Sequence, residues 1–425
     1  MTQTRSLRWA IAGLLFLSTA INYLDRQTLS ILATTIQADL KIDDVGYAKI
    51  TTYFLLSYTI MYAVSGRLVD FLGTRRSLVL AVTGWSLAGM LHGLANSVAQ
   101  LSVCRFILGG FESANYPGGA KAVAEWFPLK ERALGMAFLG SGGAIGAVIA
   151  FPMVSYLALT HSWRVAFVVV GAVGFVWVLA WLALCKPAPA VSGQDAGTTG
   201  SPAAQASEAA PEKPFGFWEL LSYRRTWGCI LVRVFTDPII YFISFWVPKY
   251  LAANHGYTLA DIGKFAWLPF AALSVGQMAG GAVTSWLVGR GADLDLVRKR
   301  LMLGASLLVL ASGTLVALTA SPFAALAGVA CLALGHGLWG NIAVPAEVFP
   351  SHSVAFVTGL GGTFGGVAGM ISQFCIAWAA GHQGYAYIFA VFSVCPLLAF
   401  FAVKLLVGRL GEISLSLPSG TKSHV

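Results

Sequence analysis

Charged residues are scarce in this chain of 425 residues: only 11% are Asp, Glu, Lys or Arg, whereas 57% are hydrophobic. A soluble globular domain carries about 25% charged residues. This shortage of charge argues against an ordinary soluble enzyme or binding domain. The composition instead indicates a membrane protein with many spans.

Motifs for several kinds of chemistry are also missing from the sequence. The six cysteines are far apart, with no CxxC pair and no metal-binding spacing, so we assign neither a disulfide nor a metal site. The sequence contains neither a nucleotide-binding P-loop nor a nucleophile elbow. We therefore expect a protein that is not an enzyme and that has no bound cofactor.

The net charge of +9 does not come with a basic stripe or a nucleic-acid-binding motif. Most of the 27 Lys and Arg residues lie in the loops on one side of the apolar segments, as the positive-inside rule describes. We therefore expect both termini and the central linker to be cytoplasmic. The expected partner is the lipid bilayer, not nucleic acid.

Twelve apolar segments of roughly 17 to 25 residues can be placed along the chain. Their approximate bounds are 9–36, 47–66, 77–96, 102–124, 133–158, 163–185, 227–253, 261–287, 301–319, 323–346, 355–379 and 385–407. Between the sixth and seventh segments the chain is rich in Pro, Gly, Ser and Ala and cannot bury a core. We predict an all-α membrane protein with two six-helix halves, residues 1–185 and 227–425, joined by a cytoplasmic linker, 186–226.

The two groups of segments repeat one another. Glu-Trp-Phe-Pro at 125–128 ends the fourth segment, Glu-Val-Phe-Pro at 347–350 ends the tenth, and a glycine-rich segment follows each motif. Ordinary tight packing explains either glycine run alone, but it does not explain their matched positions. Such a duplication favours alternating access, in which a substrate binds near the midplane between the halves.

The fourth segment contains an arginine and a glutamate, each of which costs about 3 kcal/mol or more against hydrocarbon. On one continuous helix, Arg105, Gly109, Glu112 and Tyr116 form a single stripe, with about 10 Å between Arg105 and Glu112. That stripe must face protein or a polar cavity. Gly109 and Gly110 are expected to leave room for the first segment to approach Glu112.

Asp25 and Arg26 are adjacent in the first segment, so they point about 100° apart and need different partners. In the functional interpretation Arg26 binds a substrate carboxylate, because guanidinium and carboxylate pair bidentately, and Asp25 carries a proton. The alternative is a structural ion pair between the first and fourth segments. Glu112 is the second proton candidate, because its charge would depend on which side of the protein is open.

Tyr23 and Tyr58 offer hydroxyls for hydrogen bonds beside Arg26 and flat rings on which a substrate can pack. The expected counterparts from the second half are Trp339, Asn341 and Thr363. For Trp339, a place in the substrate site and a place in the core are equally compatible with the sequence.

Two further pairs are one helical turn apart. Arg233 and Asp237 most simply form a structural ion pair, with a position for Arg233 at the cytoplasmic mouth as the alternative. Lys121 and Glu125 are expected to satisfy one another. His336 is a weaker site candidate.

The loop Gly-Arg-Leu-Val-Asp-Phe-Leu-Gly-Thr-Arg-Arg at 66–76 resembles the cytoplasmic signature of the major facilitator superfamily. The resemblance implies its two-half helical fold. We interpret Asp70, Arg75 and Arg76 as a gate latch, in which Asp70 accepts hydrogen bonds from the end of a facing helix and the arginines lie at the lipid headgroups. The copy at 281–290 lacks the aspartate and is expected to be weaker.

A narrower resemblance, to the anion:cation symporter family, covers nearly the whole chain. It is carried by the stretches 22–26, 105–117, 125–132 and 161–164, and the stretches 227–238 and 265–269 are most similar to the hexuronate transporters. The family takes up organic acids with protons, and the resemblance implies that Asp25 and Glu112 couple protons and that Arg105 assists them. Asp25 lies in a motif more typical of the aldonate branch.

These observations lead us to expect a monomeric, proton-coupled symporter of the bacterial inner membrane. Its expected substrate is a small organic anion, most simply a hexuronate such as glucuronate or galacturonate, and protons are its coupling ion. Two alternatives are open: a symporter for another organic acid (aldonate, aldarate or aromatic carboxylate) and a proton-coupled efflux antiporter.

Overall fold

The computed structural model describes residues 2–128, 131–185, 217–349 and 351–411, and these residues form helices and short connections without strands. The helices of the first half are α1 Thr2–Ile31, α2 Ala33–Leu40, α3 Asp44–Leu72, α4 Thr74–His92, α5 Val98–Glu112, α6 Asn115–Trp126, α7 Arg132–Thr160 and α8 Trp163–Leu184. The remaining helices are α9 Phe217–Ser222, α10 Arg224–Phe245, α11 Val247–His255, α12 Leu259–Phe265, α13 Leu268–Gly289, α14 Leu294–Leu318, α15 Pro322–Trp339, α16 Val344–Val348, α17 Ser351–His382 and α18 Tyr385–Ala402. A π-helical turn, Val403–Val407, extends α18.

Each of the twelve predicted segments is helical in the structure. Within the described residues, nine spans are long and apolar enough to cross a membrane, and they correspond to the first segment and to the fifth through the twelfth. The second and third segments are occupied by α3 and α4, and the fourth by α5 and α6. The predicted all-α membrane fold is therefore confirmed.

The fourth predicted segment is not one continuous helix, because the chain turns at residues 113–114 between α5 and α6. Pro117 lacks an N–H, and its ring would clash with the carbonyl four residues earlier, that of Ser113. This carbonyl instead accepts a hydrogen bond of 3.4 Å from the Ser65 hydroxyl. Tyr116 lies beyond the break and does not continue the predicted stripe.

A short helix lies in the C-terminal part of the predicted linker. Residues 186–216 lie outside the described residues, but α9 falls within the stretch assigned to the linker. Leu220 at its centre and Tyr223 just after it are buried in the hydrophobic core of the second half. This part of the chain therefore packs against the second half, and the boundary predicted at residue 227 stays a prediction.

The matched glycine runs occupy equivalent helix contacts in the two halves. In the first half α7 packs along α1, and in the second half α17 packs along α10. A Cβ atom on Gly142 or Gly146 would overlap the carbonyl oxygens of Phe16 and Ala20. The absence of side chains thus lets the backbones of α1 and α7 touch.

The helix ends define two sides of the molecule. We call the side with the ends near residues 72–74, 126–132, 184, 224, 289–294 and 348–351 the linker side. The opposite side contains the ends near residues 31–44, 92–98, 160–163, 245–259, 318–322 and 382–385.

Gly146→Ala should destabilise the protein, because the added methyl group would overlap the carbonyl of Ala20 and push α7 away from α1. Overpacking of this kind costs about 1–3 kcal/mol, which should appear as a lower Tm of the purified protein. Gly140→Ala is the matched control in the same helix, since nothing lies within 4 Å of its Cβ position. Equal effects of the two substitutions would contradict the close contact.

Candidate functional site

A buried ion pair between α1 and α5 lies at the centre of the first half. The Nε and Nη2 atoms of Arg26 both donate to Oε2 of Glu112, at 3.1 and 2.9 Å. The Glu112 side chain is 0% exposed, whereas that of Arg26 is 15% exposed. The ion pair between the first and fourth segments, which the sequence analysis gave as the alternative for Arg26, is thus present. The guanidinium of Arg26 is nevertheless partly exposed, so a substrate could also reach it.

Three aromatic rings surround this guanidinium. Its central carbon lies 5.0, 5.1 and 4.9 Å from the ring centroids of Tyr23, Phe54 and Tyr58, within range of cation–π attraction. The predicted proximity of both tyrosines to Arg26 is thus observed. Phe54 was missed, although it is one turn from Tyr58 and stacks on it with centroids 5.7 Å apart.

Asp25 and Arg26 have different neighbours, as expected for adjacent residues that point about 100° apart on a helix. Only 3% of the residue is exposed. A Cβ on Gly89 of α4 would lie 3.1 Å from its Oδ1 atom. Among the described residues, its Oδ2 atom has no hydrogen-bond partner. Asp25 is therefore a buried carboxyl group whose second oxygen is unsatisfied.

Arg105 is also buried and poorly satisfied. It is 1% exposed, and its Nη1 atom donates a long hydrogen bond of 3.4 Å to the carbonyl of Arg26. Its Nε and Nη2 atoms, like Oε1 of Glu112, have no partner within the part of the chain that the structure describes. Unsatisfied buried charges are costly and concentrate at functional sites.

The close approach at Gly109 involves a different helix from the one predicted. A Cβ there would lie 2.5 Å from the carbonyl oxygen of Phe54 and 2.6 Å from the Ser57 hydroxyl, both on α3. The Ser57 hydroxyl itself donates to the carbonyl of Phe106 at 2.5 Å. Gly109 thus allows the close approach of α3, in the second segment, and not of α1, in the first.

The second half contributes another buried ion pair. The Nε atom of Arg233 donates to Oδ2 of Asp237 at 2.8 Å, which confirms the predicted pair one helical turn apart. The amide of Asn341 donates to Oδ1 of Asp237 at 3.2 Å and to the hydroxyl of Thr236 at 2.7 Å. Asn341 and Thr236 therefore both belong to this cluster. The sequence analysis did not predict Thr236, because nothing in the sequence distinguishes it from the other threonines of the apolar segments.

Trp339 and Thr363 make their hydrogen bonds away from the two ion pairs, and their predicted place in the substrate site stays a prediction. Trp339 is 1% exposed in the core of the second half, and its indole N–H donates to the Ser306 hydroxyl at 3.0 Å. Thr363 is exposed, and its hydroxyl donates to the carbonyl of Gly359 in its own helix at 3.0 Å. The residues of α17 that face Arg233 and Asp237 are glycines, Gly361 and Gly365 among them.

The residues of the predicted gate latch contact only the first half. Asp70 accepts a hydrogen bond of 2.8 Å from the ammonium of Lys121. The predicted pairing of Lys121 with Glu125 is therefore wrong. The predicted partner of Asp70, the end of a facing helix, is also wrong, because its partner is a side chain. Arg75 donates to the carbonyl of Leu182 at 3.0 Å, and Arg76 is exposed.

The two halves are locked together on the opposite side. Lys249, only 6% exposed, pairs through its ammonium with the carboxylate of Asp44 from the other half. The same ammonium lies 5.6 Å from the ring centroid of Tyr47 and 5.1 Å from that of Trp246. An ion pair between two aromatic rings thus closes this end.

A second layer of contacts between the halves lies next to this ion pair. The Tyr47 hydroxyl donates to the carbonyl of Phe245 at 2.6 Å. The Gln373 side-chain carbonyl accepts from the Thr51 hydroxyl of the other half at 3.1 Å and from the Trp246 indole of its own half at 2.8 Å. The site around Arg26 is therefore sealed from the opposite side.

Access to the site is from the linker side. Tyr62, one turn from Tyr58 toward the linker side, stacks on that ring with centroids 5.8 Å apart and is 43% exposed. The row of aromatic rings at the Arg26 site therefore extends toward the linker side, where Tyr62 is exposed, and we call the region between the halves on this side the cleft. Two helical halves around a polar central cleft, closed at one end, define a transporter.

Comparisons with known proteins agree with this class. The sequence profile described as Major Facilitator Superfamily matches residues 15–372. The "Hexuronate transporter" of Escherichia coli strain K12 is 30% identical over 424 residues, covering 95% of this chain and 94% of that protein. The "Galacturonate transporter" of Dickeya chrysanthemi is 32% identical over 348 residues, covering 79% of this chain and 98% of that protein.

The fold is similar to that of a solved bacterial homolog to the human lysosomal transporter Spinster, described as inward-facing and unoccupied. The TM-score is 0.75 at 17% identity, covering 95% of this chain and 98% of that chain. The chain belongs to the Major Facilitator Superfamily. It is a multi-pass membrane transport protein and not an enzyme.

Asp44→Asn should shift the protein toward a state open on the opposite side, because it leaves the buried ammonium of Lys249 without a counter-charge. Breaking a buried ion pair in this way costs about 3–5 kcal/mol. Spin labels at the exposed positions Lys41 and Asn254, one on each half, should report a larger population at long distance.

Asp39→Asn is the matched control on the same side. Asp39 pairs with Arg164 at 2.7 Å within the first half, and hydrogen bonds from Arg164 and Trp163 hold the pKa of its carboxyl below its usual range. Its removal also deletes a negative charge but no contact between the halves. If both variants gave the wild-type distance distribution, the lock would not be formed by Asp44.

Proposed function

We propose that this protein is a proton-coupled symporter that imports a sugar-acid anion, specifically a hexuronate such as glucuronate or galacturonate, by alternating access. The observation that carries the proposal is the Arg26–Glu112 pair: a partly exposed guanidinium, surrounded by three aromatic rings, whose counter-charge is a completely buried carboxyl group. The names of the similar hexuronate and galacturonate transporters support the choice of substrate class.

The chemistry around Arg26 suits a sugar acid. A guanidinium binds a carboxylate through two parallel hydrogen bonds. The rings of Tyr23 and Tyr58 offer flat surfaces for the apolar face of a pyranose, and their hydroxyls can exchange hydrogen bonds with its hydroxyls. An efflux pocket would be wide and apolar, so this small polar site favours uptake of a small anion.

Proton coupling follows from competition for one guanidinium. Glu112 uses both Nε and Nη2 of Arg26 when it is ionised. Protonation of Glu112 would remove its charge and free this edge of Arg26 for the substrate carboxylate. Substrate and proton would therefore bind together, and loss of the proton would return Glu112 to Arg26 and expel the substrate.

Asp25 and Arg105 complete the proposed proton pathway. Both are buried with unsatisfied polar atoms, and Arg105 contacts the backbone of Arg26. We assign Asp25 a second transported proton and Arg105 the role of a fixed positive charge near both carboxyl groups. A fixed cation stabilises whichever carboxyl group is ionised.

The proposed direction depends on orientation. Most Lys and Arg residues belong to the linker side, which the positive-inside rule assigns to the cytoplasm. The closed opposite side would then be periplasmic, and the structure would be the inward-facing state. We place the protein in the bacterial inner membrane with both termini in the cytoplasm.

Arg26→Gln should weaken glucuronate binding roughly 10- to 150-fold, because a hydrogen bond to a charged group contributes about 1.5–3 kcal/mol. Isothermal titration calorimetry on the purified protein measures the Kd. Arg8→Gln is the control on the same helix, since Arg8 pairs with Glu131 at 2.9 Å outside the cleft. An unchanged Kd for Arg26→Gln would exclude Arg26 as the carboxylate ligand.

Glu112→Gln should separate exchange from accumulation, because glutamine cannot carry a proton. In proteoliposomes this variant should exchange glucuronate across the membrane at equilibrium but fail to concentrate it when a pH gradient is imposed. Glu131→Gln, which alters a carboxylate outside the cleft, should accumulate substrate normally. Normal accumulation by Glu112→Gln would refute the coupling role.

A further inference from the structure

We infer that Asp237 makes the transporter selective for monocarboxylates by neutralising Arg233, the arginine that the second half presents to the cleft. This inference rests on the proposed function, because it concerns the end of the substrate that is remote from Arg26. The group recognised there would be a set of hydroxyls, not a second carboxylate.

The Asp237 carboxylate is held firmly on Arg233. One oxygen accepts from Nε of Arg233 at 2.8 Å, and the other accepts from the amide of Asn341 at 3.2 Å. The Asp237 side chain is only 4% exposed. A Cβ on Gly365 would overlap this carboxylate, so the glycine provides the space in which the pair fits.

Arg233 lies across one helix from Arg26. Its side chain is 20% exposed, and α17 lies between it and the Arg26 site, because a Cβ on Gly365 would lie 3.3 Å from Arg233 and a Cβ on Gly366 would lie 2.6 Å from the hydroxyl of Thr59, next to Tyr58. Two arginines, one from each half, therefore flank α17 at the cleft.

The charges at the two ends of this cleft differ in a way that bears on selectivity. In the first half, Glu112 is the counter-charge of Arg26, so protonation of Glu112 leaves a positive charge on Arg26 that one substrate carboxylate balances. In the second half, Asp237 already balances Arg233. A second carboxylate near Arg233 would approach Asp237 as well, and like charges repel strongly in a poorly solvated site.

This difference separates two kinds of sugar acid with the same carbon chain. A hexuronate carries a carboxylate at one end and only hydroxyl and hemiacetal groups at the other. An aldarate carries a carboxylate at both ends. The neutral cluster of Arg233, Asp237 and Asn341 can exchange hydrogen bonds with hydroxyls, so it accepts the hexuronate and disfavours the aldarate.

The test compares the Kd of glucuronate and of glucarate for the wild type and for Asp237→Asn, measured by calorimetry on the purified, folded proteins. The wild type should bind glucuronate at least tenfold more tightly than glucarate. Asp237→Asn keeps the size of the side chain but unmasks the charge of Arg233, and it should shift the ratio at least tenfold toward glucarate. The double variant Arg233→Gln/Asp237→Asn should lose that gain.

The outcomes separate this inference from the proposed function. If the wild type does not bind glucuronate, the proposed function fails. If it binds glucuronate but binds glucarate equally well, or if folded Asp237→Asn keeps the wild-type ratio, this inference alone is overturned. Should Asp237→Asn not fold, the wild-type ratio decides the question by the same criterion.

Discussion

A charge inside a bilayer must be paired or hydrated, and in this protein the pairing of Arg26 with Glu112 meets that constraint. The helix packing of the first half serves to bring these two side chains together. Glycines of α7 allow close contact with α1, and Gly109 of α5 allows close contact with α3. The same packing places Phe54 and Tyr58 of α3 around the guanidinium.

The two halves satisfy their buried charges to different degrees. In the second half, Arg233, Asp237 and Asn341 form a closed set in which each carboxylate oxygen has a donor. In the first half, Asp25, Arg105 and Glu112 each keep an unsatisfied polar atom. A closed set resists change, whereas an unsatisfied one can exchange partners at low cost. This difference supports the proposal that the changing charges of the transport cycle lie in the first half.

Closure on the opposite side uses side chains that belong to neither charge cluster. Lys249, Trp246 and Gln373 from one half meet Asp44, Tyr47 and Thr51 from the other. The Lys249–Asp44 ion pair, the Tyr47–Phe245 hydrogen bond and the Thr51–Gln373 hydrogen bond each join the halves, so they must separate together when that side opens. The Asp70–Lys121 pair is confined to one half and can persist through such a movement.

Local patterns in the sequence determined the twelve helical segments, the duplicated halves, the Arg233–Asp237 pair and the separate partners of Asp25 and Arg26. Each depends on hydropathy or on residues within one helical turn, where the geometry of a single helix is sufficient. The break before Pro117 was not predicted, although a proline inside a helix removes a hydrogen bond and could have indicated it.

Only the tertiary structure decided which helices meet and with which faces. It paired Lys121 with Asp70 instead of Glu125, brought α3 instead of α1 to Gly109, and placed Trp339 in the core. In a chain so rich in apolar residues, hydropathy does not distinguish a face toward lipid from a face toward another helix. The sequence determined where the charges lie along the helices, and the packing of small residues decided which of them meet.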